Sequence, residues 1–450
     1  MCQMFFPGTC LVHCWPAMEA EGISLMNHRI PPRRLGFLST RFHGTDGVTL
    51  EAGKWAQILH GAGHAVHWMA GVLDTPPSVS HLVPEAFFNH PEVAVLQAKL
   101  FGVTRRDRSV TNAIHAMKDR LKDGIYAFIE RFGIEVLIPE NILAIPMHVP
   151  LGLAMTEVIA ETGMPTIAHH HDFSWERERF MISGVQDYLQ SAFPPSLPHV
   201  EHVVINSMAQ KELARRFGLP SAVIPNVLDF ETPAPGVDEY NADVRKEFGL
   251  AEDDIFVLQP TRVVARKGIE HAIELVRRLA DRRVKLVFSH PAGDEGDAYL
   301  TLLKERIADA AIDVRFVADR VSEQRGTDAR GRKLYTLFDV YPHCDLVTYP
   351  SLYEGFGNAF LEAIYFRKPV VVNTYAVYAR DLAPLGFKTI EMNQLLSGDV
   401  VGLTRRVLAD KEVRDVWGAT NYELGLKYFS HSVARRKLGA RLANLMGEGL

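Results

Sequence analysis

The chain has 450 residues, with 49 Lys and Arg against 54 Asp and Glu, a net charge of −5 with histidine neutral. Hydrophobic residues make up 47% and charged residues 23%. That mixture excludes general disorder, and the near balance of charge gives no electrostatic reason to expect nucleic-acid or membrane-surface binding. At roughly 150 residues per domain the length implies two or three domains with large cores.

Three of the four cysteines, Cys2, Cys10 and Cys14, crowd into the first fourteen residues, and Cys344 stands alone in a helical-looking stretch. No zinc spacing with a distant second pair is present, and the expectation is a reducing, cytoplasmic location. The segment Met1–Cys14 is apolar but is broken by Pro7 and preceded by no positive residue. It makes a poor signal peptide, and no run approaches the roughly 20 apolar residues of a membrane span. Met26 lies ahead of the basic residues Arg29, Arg33 and Arg34. Residues 1–33 read as a loose extension, and residues 1–25 of it as the product of a misplaced start codon.

A βα rhythm begins at Leu35. Strands are predicted at 35–39, 64–69, 134–139, 165–168, 202–205 and 222–224, alternating with helices at 49–59, 112–132, 148–161 and 207–217. The stretch 112–132 places Ile114, Met117, Leu121, Ile125 and Ile129 on one helix face. Residues 229–241 contain Pro233, Pro235 and Gly236 with acidic residues, and read as a linker. The rhythm then restarts with strands at 255–259, 284–289, 314–318, 346–349 and 370–373. Helices are predicted at 268–279, 297–307, 334–340, 358–366, 400–410, 412–426 and 430–446. Apolar strands alternating with helices imply parallel sheets covered on both faces. The fold class is therefore α/β, with two doubly wound domains at 34–228 and 242–428 facing a cleft. Ligands of such sheets bind in the loops outside the carboxyl ends of the strands, and the unusual residues lie there.

The most informative stretch is Pro350-Ser-Leu-Tyr-Glu-Gly-Phe-Gly-Asn-Ala-Phe-Leu-Glu362, which follows a strand and opens a helix. Gly355 and Gly357, flanking Phe356, let backbone approach a ligand, and Asn358 is a candidate N-cap. The helix start offers N–H groups and a dipole to phosphate. Glu362 sits in an apolar run, where a carboxylate is costly unless hydrogen-bonded; the vicinal diol of a ribose supplies two donors. Glu354 in the preceding loop can hold sugar hydroxyls. Two acidic residues near a helix start also have a bland capping reading, but the Gly-Phe-Gly between them favours a site. In Pro260–Ile269, Arg262 and Lys267 can converge on a diphosphate, whose charge grows as it departs. Arg266 reads as a solvated basic residue.

His169-His-His-Asp172 follows the strand at 165–168. Adjacent histidines suggest metal, but neighbours on an extended chain point to alternate faces and no other ligand set is near in sequence. The preferred reading is one imidazole touching donor hydroxyls, with Asp172 orienting the loop and no metal bound. In Ser39–Val48 the Gly-x-Gly-x-x-Gly fingerprint is missing, which argues against a nicotinamide or flavin enzyme. Arg41 and His43, with Arg177 and Arg179, can gather negative charge on the acceptor side.

These four segments, in this order, resemble the retaining GT-B-fold glycosyltransferases of family 4, the glycosyl transferases of group 1, over residues 34–446. The resemblance implies that Glu354 contacts the donor sugar, that Glu362 binds the ribose, and that Arg262 and Lys267 bind the donor diphosphate. His171 and Asp172 match the family's His-Asp, Gly47 its phosphate-facing glycine turn, and 430–446 its final helix crossing back to the N-domain. Asn226 resembles the hinge entry, without the usual glycine. A glycine pair expected after residue 373 is replaced by Thr374-Tyr375, and the loop after residue 289 is altered to His290-Pro-Ala-Gly-Asp294. The segments around Arg41–Val48 and His169–Arg177 resemble those of enzymes that extend glucosylglycerate-like solutes. The implied reaction is hexosyl transfer from a GDP- or UDP-sugar to a hydroxyl of a small anionic acceptor, with retained configuration, no metal and no further cofactor. The partners expected are that donor and acceptor, with no nucleic acid and no integral membrane segment. Alternatives are an epimerase or phosphorylase on the same fold, or a nucleotide-sugar-binding protein without catalysis.

Overall fold

A computed structural model describes residues 31–44, 46–292 and 298–447. The expected extension therefore lies, through residue 30, outside the described residues; Arg33 already belongs to the domain, its guanidinium 3.2 Å from Glu135.

The N-terminal half carries strands β1 (Arg34–Leu38), β2 (Ala65–Ala70), β3 (Ser80–Leu82), β4 (Val136–Pro139), β5 (Thr166–His170), β6 (Val200–Val204) and β7 (Ser221–Val223). Its helices are α1 (Gly47–Gly61), α2 (Pro91–Gln97), α3 (Arg108–Phe132), α4 (Val149–Thr162), α5 (Gln186–Ala192) and α6 (Ser207–Phe217). The C-terminal half carries β8 (Ile255–Gln259), β9 (Val284–Phe288), β10 (Asp313–Phe316), a short hairpin of β11 (Gly326–Thr327) and β12 (Lys333–Leu334), β13 (Leu346–Tyr349), β14 (Val370–Asn373) and β15 (Ile390–Met392). Helices α7 (Val244–Glu247), α8 (Glu270–Leu279), α9 (Ala298–Ala310), α10 (Leu337–Val340), α11 (Asn358–Tyr365), α12 (Gly398–Ala409), α13 (Lys411–Phe429) and α14 (His431–Met446) complete it.

The first sheet has the order β3-β2-β1-β4-β5-β6-β7 and the second β10-β9-β8-β13-β14-β15, with parallel pairings throughout. Both reverse direction beside their first strand, the topological switch that opens a ligand crevice in doubly wound folds. This is the GT-B architecture. Buried runs such as Val136–Pro139 and Leu346–Tyr349 explain the absence of period-two alternation, because helices cover both faces. After Phe429 the chain crosses back: Leu228 N–H donates to the Phe429 carbonyl at 2.9 Å, and Ala434, Leu438 and Leu442 of α14 enter the N-domain core with Leu35 and Trp55.

Several expectations need correction. The helix expected at 334–340 is instead strand β12, a buried Tyr335, and a short helix that starts where Thr336 and Asp339 form a capping box. Strand β5 extends to His170, so His169 and His170 belong to the sheet rather than to a loop. Asn358 is the first helical residue of α11 and Gly357, at φ 137°, holds the cap position. Asn358 serves elsewhere, accepting the Asn226 side-chain amide at 2.7 Å.

Candidate active site

The loop after β13 and the turn after β8 meet in the cleft. Lys267 lies in a tight turn whose exit, Gly268, is at φ 58°, and a Cβ there would stand 2.6 Å from the Pro350 carbonyl. Only glycine brings the two loops so close. The Lys267 ammonium then binds Glu354 Oε1, and Arg266 Nη1 lies 3.1 Å from Glu354 Oε2. Glu354 is 8% exposed. Burial pushes its carboxyl up, yet the Lys267 and Arg266 charges outweigh it and hold the group below the ordinary carboxylate range. Burial lowers the Lys267 ammonium despite Glu354, with Arg266 and Arg262 adding repulsion. The carboxylate faces two cations, so the pair is ionised.

Arg266 is thus a partner of Glu354 and not the solvated residue expected from sequence. Arg262 is exposed and forms no ion pair among the described residues. It acts on the same spot, because burial together with the charges of Lys267 and Arg262 pushes His290 down to about 4. Glu362 stands on α11 with Oε2 accepting the Tyr341 hydroxyl at 2.9 Å. Burial raises its carboxyl, partly offset by Tyr341 and by the charges of Lys54 and Lys267. Its Oε1 accepts no hydrogen bond from a described residue. Lys54 comes from the N-domain helix α1 and donates to the Val227 carbonyl at 2.7 Å and to Glu51 at 2.9 Å. The missing glycine pair is replaced by a brace: Tyr375 Oη donates to the Phe356 carbonyl at 2.7 Å.

Across the cleft, a Cβ placed on Gly355 would stand 3.6 Å from the His171 carbonyl. His171, whose side chain is 9% exposed, has Nε2 3.1 Å from Glu140 Oε2. Burial and neighbouring His169 keep the imidazole below its usual range, against the pull of Glu140. Asp172 Oδ1 accepts the Asn141 amide at 2.7 Å and its Oδ2 accepts Arg177 Nε at 2.9 Å. Arg177 is consequently spoken for. Arg41 Nε lies 3.2 Å from Asp46, the cap of α1, while His43 is exposed. Gly47 opens α1, and a Cβ placed on it would meet no atom within 4 Å, which leaves room above the helix start.

The family model described as "Glycosyl transferases group 1" matches residues 255–386. The mannosylglucosylglycerate synthase of Petrotoga mobilis is 32% identical over 382 residues, covering 80% of this chain and 86% of that protein. The chain belongs to the group 1 glycosyltransferases. A mannosylglucosylglycerate synthase of Thermotoga maritima is also 32% identical, over 419 residues, covering 86% and 94%. Among solved structures, a glycosyltransferase from Rickettsia africae aligns with TM-score 0.67 at 11% identity, over 93% of this chain and all of that one. Sucrose-phosphate synthase from Thermosynechococcus elongatus aligns with TM-score 0.62 at 14% identity, over 93% and 100%. These two likenesses establish the shared GT-B fold.

In this glycosyltransferase Arg262, Lys267, Glu354, Gly355, Phe356, Gly357 and Glu362 lie on neighbouring segments of the C-domain, where Lys267 binds Glu354 and Gly355 faces the His171–Asp172 loop. Arg41, His43 and Gly47 sit on the N-domain rim of the cleft. Sequence reading missed the role of Arg266, and missed Lys54, Tyr341 and Glu140 altogether. No helix among the described residues is long and apolar enough to cross a membrane.

Proposed function

We propose that this glycosyltransferase moves a hexosyl group from a GDP- or UDP-sugar to a hydroxyl of a small carboxylate-bearing acceptor of the glucosylglycerate type, with retained configuration. The observation that carries the reading is the meeting of Lys267 and Glu354 beside Arg262, a cation with no carboxylate partner among the described residues. Lys267 and Arg262 take the leaving diphosphate, where developing charge is stabilised most. The N-terminus of α11 adds its dipole, so a divalent ion is not required. Glu354, held ionised, and His171 accept and orient donor sugar hydroxyls. The free oxygen of Glu362 takes the ribose. Front-face attack suits this arrangement: the leaving phosphate oxygen receives the acceptor proton and no enzyme carboxylate is the nucleophile. The acceptor class rests on the product named by the two relatives at 32% identity, and on the cationic N-domain rim.

The experiment is a thermal-shift screen of UDP, GDP, ADP and their sugars, followed by nucleoside diphosphate release with glucosylglycerate and neutral glucosides as acceptors. Proton NMR of the product's anomeric coupling reads retention or inversion. Tight donor binding without diphosphate release for any acceptor would reject catalysis. Conversion of the donor sugar without acceptor would instead indicate an epimerase.

A further inference from the structure

A hollow on the N-domain opens at the carboxyl ends of β1 and β4, lined by Ser39, Arg41, Glu140, Asn141, Met147 and His148. Its floor is unusual. Glu140 directly follows β4 and is 1% exposed. His171 Nε2 hydrogen-bonds Glu140 Oε2 at 3.1 Å, while His169 Nδ1, 2.9 Å from the same oxygen, is not in hydrogen-bonding geometry. His169 is itself clamped flat on Trp55, with ring centroids 3.7 Å apart and 11° between planes. The other oxygen, Oε1, is buried with no hydrogen-bond partner among the described residues. A buried unpaired acceptor is costly, and such groups in native folds call for a missing partner.

The backbone around it is also held in a costly form. Asn141 has φ 61°, a left-handed turn that an asparagine tolerates better than most residues. The turn lets the Asn141 side chain bind His171 N–H at 3.0 Å and Asp172 at 2.7 Å. Strain of this kind concentrates at ligand sites. The same turn ties the hollow to the donor cleft, because His171 is the residue whose carbonyl faces Gly355.

The opposite wall is cationic. Arg41, whose Nε is paired with Asp46 at 3.2 Å, lies over the Phe88 ring at 5.5 Å, and Arg179 reaches Met147 Sδ at 3.4 Å while pairing with no carboxylate among the described residues. The hollow therefore offers a hydrogen-bond acceptor at its floor and guanidinium donors at its mouth.

We infer that this hollow is the acceptor site, that Glu140 Oε1 receives a hydroxyl of a polyhydroxylated acid bound there, and that Arg41 and Arg179 take its carboxylate. The inference rests on the glycosyltransferase reading and adds the acceptor's place and its anchoring residue. Glu140 fixes which hydroxyl faces the donor, while His171 keeps its carboxyl from turning away. His171 then serves both substrates: its ring steadies Glu140 and its loop abuts the donor-binding turn.

The test uses the full chain, the nucleotide sugar selected by thermal shift, and glucosylglycerate as the acceptor probe. Glu140→Gln should raise the acceptor KM at least tenfold, with nucleotide Kd within twofold of the wild type. Arg179→Ala should raise KM for glucosylglycerate but not for a methyl glucoside. Met147→Trp, which narrows the hollow without touching the carboxyl cluster, should repeat the acceptor defect if Glu140→Gln proves unstable. An unchanged acceptor KM in Glu140→Gln and Met147→Trp overturns the assignment. So does weaker nucleotide binding in Glu140→Gln, which would place Glu140 on the donor side. A metal ion bound one per chain, measured by mass spectrometry and lost in His169→Ala, would show the cluster to be a cation site and also overturn it. Failure of the wild type to release nucleoside diphosphate from any donor would instead defeat the reading on which the inference stands.

Discussion

The Asn206 side-chain amide donates to the Gly355 carbonyl at 2.7 Å, joining the cap of an N-domain helix to the donor loop of the other domain. Its Oδ1 meanwhile caps α6 by accepting Ala209 N–H at 2.7 Å. One residue thus does two jobs on two domains. Ser207 N–H adds a bond to Asp381 at 2.7 Å beside it. Polar contacts thus join the two domains here, beside Ile205, which packs into the apolar core of the C-domain.

Asn206→Ser separates the two jobs. Serine still caps the helix but is too short to reach Gly355. Thermal stability should stay within about 0.5 kcal/mol of the wild type. The donor KM should rise roughly three- to tenfold, and donor hydrolysis relative to transfer should increase, since a looser cleft admits water. Asn206→Ala should additionally cost about 1 kcal/mol for the lost cap. Steady-state kinetics paired with calorimetry checks both. An unchanged donor KM in Asn206→Ser would show that the contact with Gly355 is incidental.

Lys267→Ala and Glu354→Gln should each lower turnover at least a hundredfold, the scale seen when a charge-stabilising contact is removed. Their stability effects should differ. Without Lys267 the buried Glu354 keeps Arg266, at 3.1 Å, as its one ion-pair partner among the described residues, and loss of one partner of a buried pair typically costs about 3–5 kcal/mol. The neutral Gln keeps hydrogen bonding to Lys267 and leaves no lone negative charge. Arg262→Ala, at an exposed position without an ion pair, should leave stability unchanged and raise the donor KM in a salt-dependent way. Near-normal rates for Lys267→Ala and Glu354→Gln would reject the site.

Gly357→Ala tests the brace beneath the donor loop. At φ 137° an L-residue is strained, and a Cβ there would be driven into the Tyr375 hydroxyl. The variant should lose about 2 kcal/mol or more of stability and nucleotide affinity should fall tenfold. Adding Tyr375→Phe should recover part of the stability by removing the clash but not the strain, and should leave Phe356 without its bond. A fully restored double variant would show that only the clash matters.

The sheet rhythm was readable because each strand is a short apolar run between turns, and the strand–helix junctions placed Glu354, Glu362 and Lys267 in one domain through local spacing alone. The residues that escaped notice depend on sheet order. Glu140 meets His169 and His171 only because β4 lies beside β5, and thirty residues of sequence separate them. Lys54 looks like any lysine on an amphipathic helix until α1 is packed against the hinge at Val227. Arg266 and Arg262 could not be ranked from sequence, because the tight turn at 265–267 decides which guanidinium faces Glu354. Helix expectations failed at 334–340, where the apolar spacing of Leu334, Leu337 and Val340 is shared by a strand end and a capped turn.

Acid should destabilise the fold well above the range of ordinary carboxylates. Burial pushes His148 and His202 down to about 4 and His169 to about 3, and His290, with Lys267 and Arg262 nearby, to about 4. Each is neutral in the fold and takes a proton near 6.5 once unfolded, so its contribution is complete above 6.5 and is lost as pH falls below it. Burial raises Glu140 and Glu176 to about 7, so these two oppose the trend, gaining stability for the fold as pH drops from 7 towards 4.5. His170, which burial holds well below its usual range, adds to these histidines, so they outnumber the opposing glutamates and the net effect is a loss of stability as pH falls below 6.5. Chemical denaturation from pH 8 to 4.5 should show a plateau that gives way below 6.5. His202→Gln, which removes one titrating ring bonded to His170 at 2.9 Å, should flatten that slope by about 1.4 kcal/mol per unit while lowering stability at pH 7.5. A stability that is flat from pH 7 to 5 would mean that these imidazoles are hydrated or already charged in the folded protein.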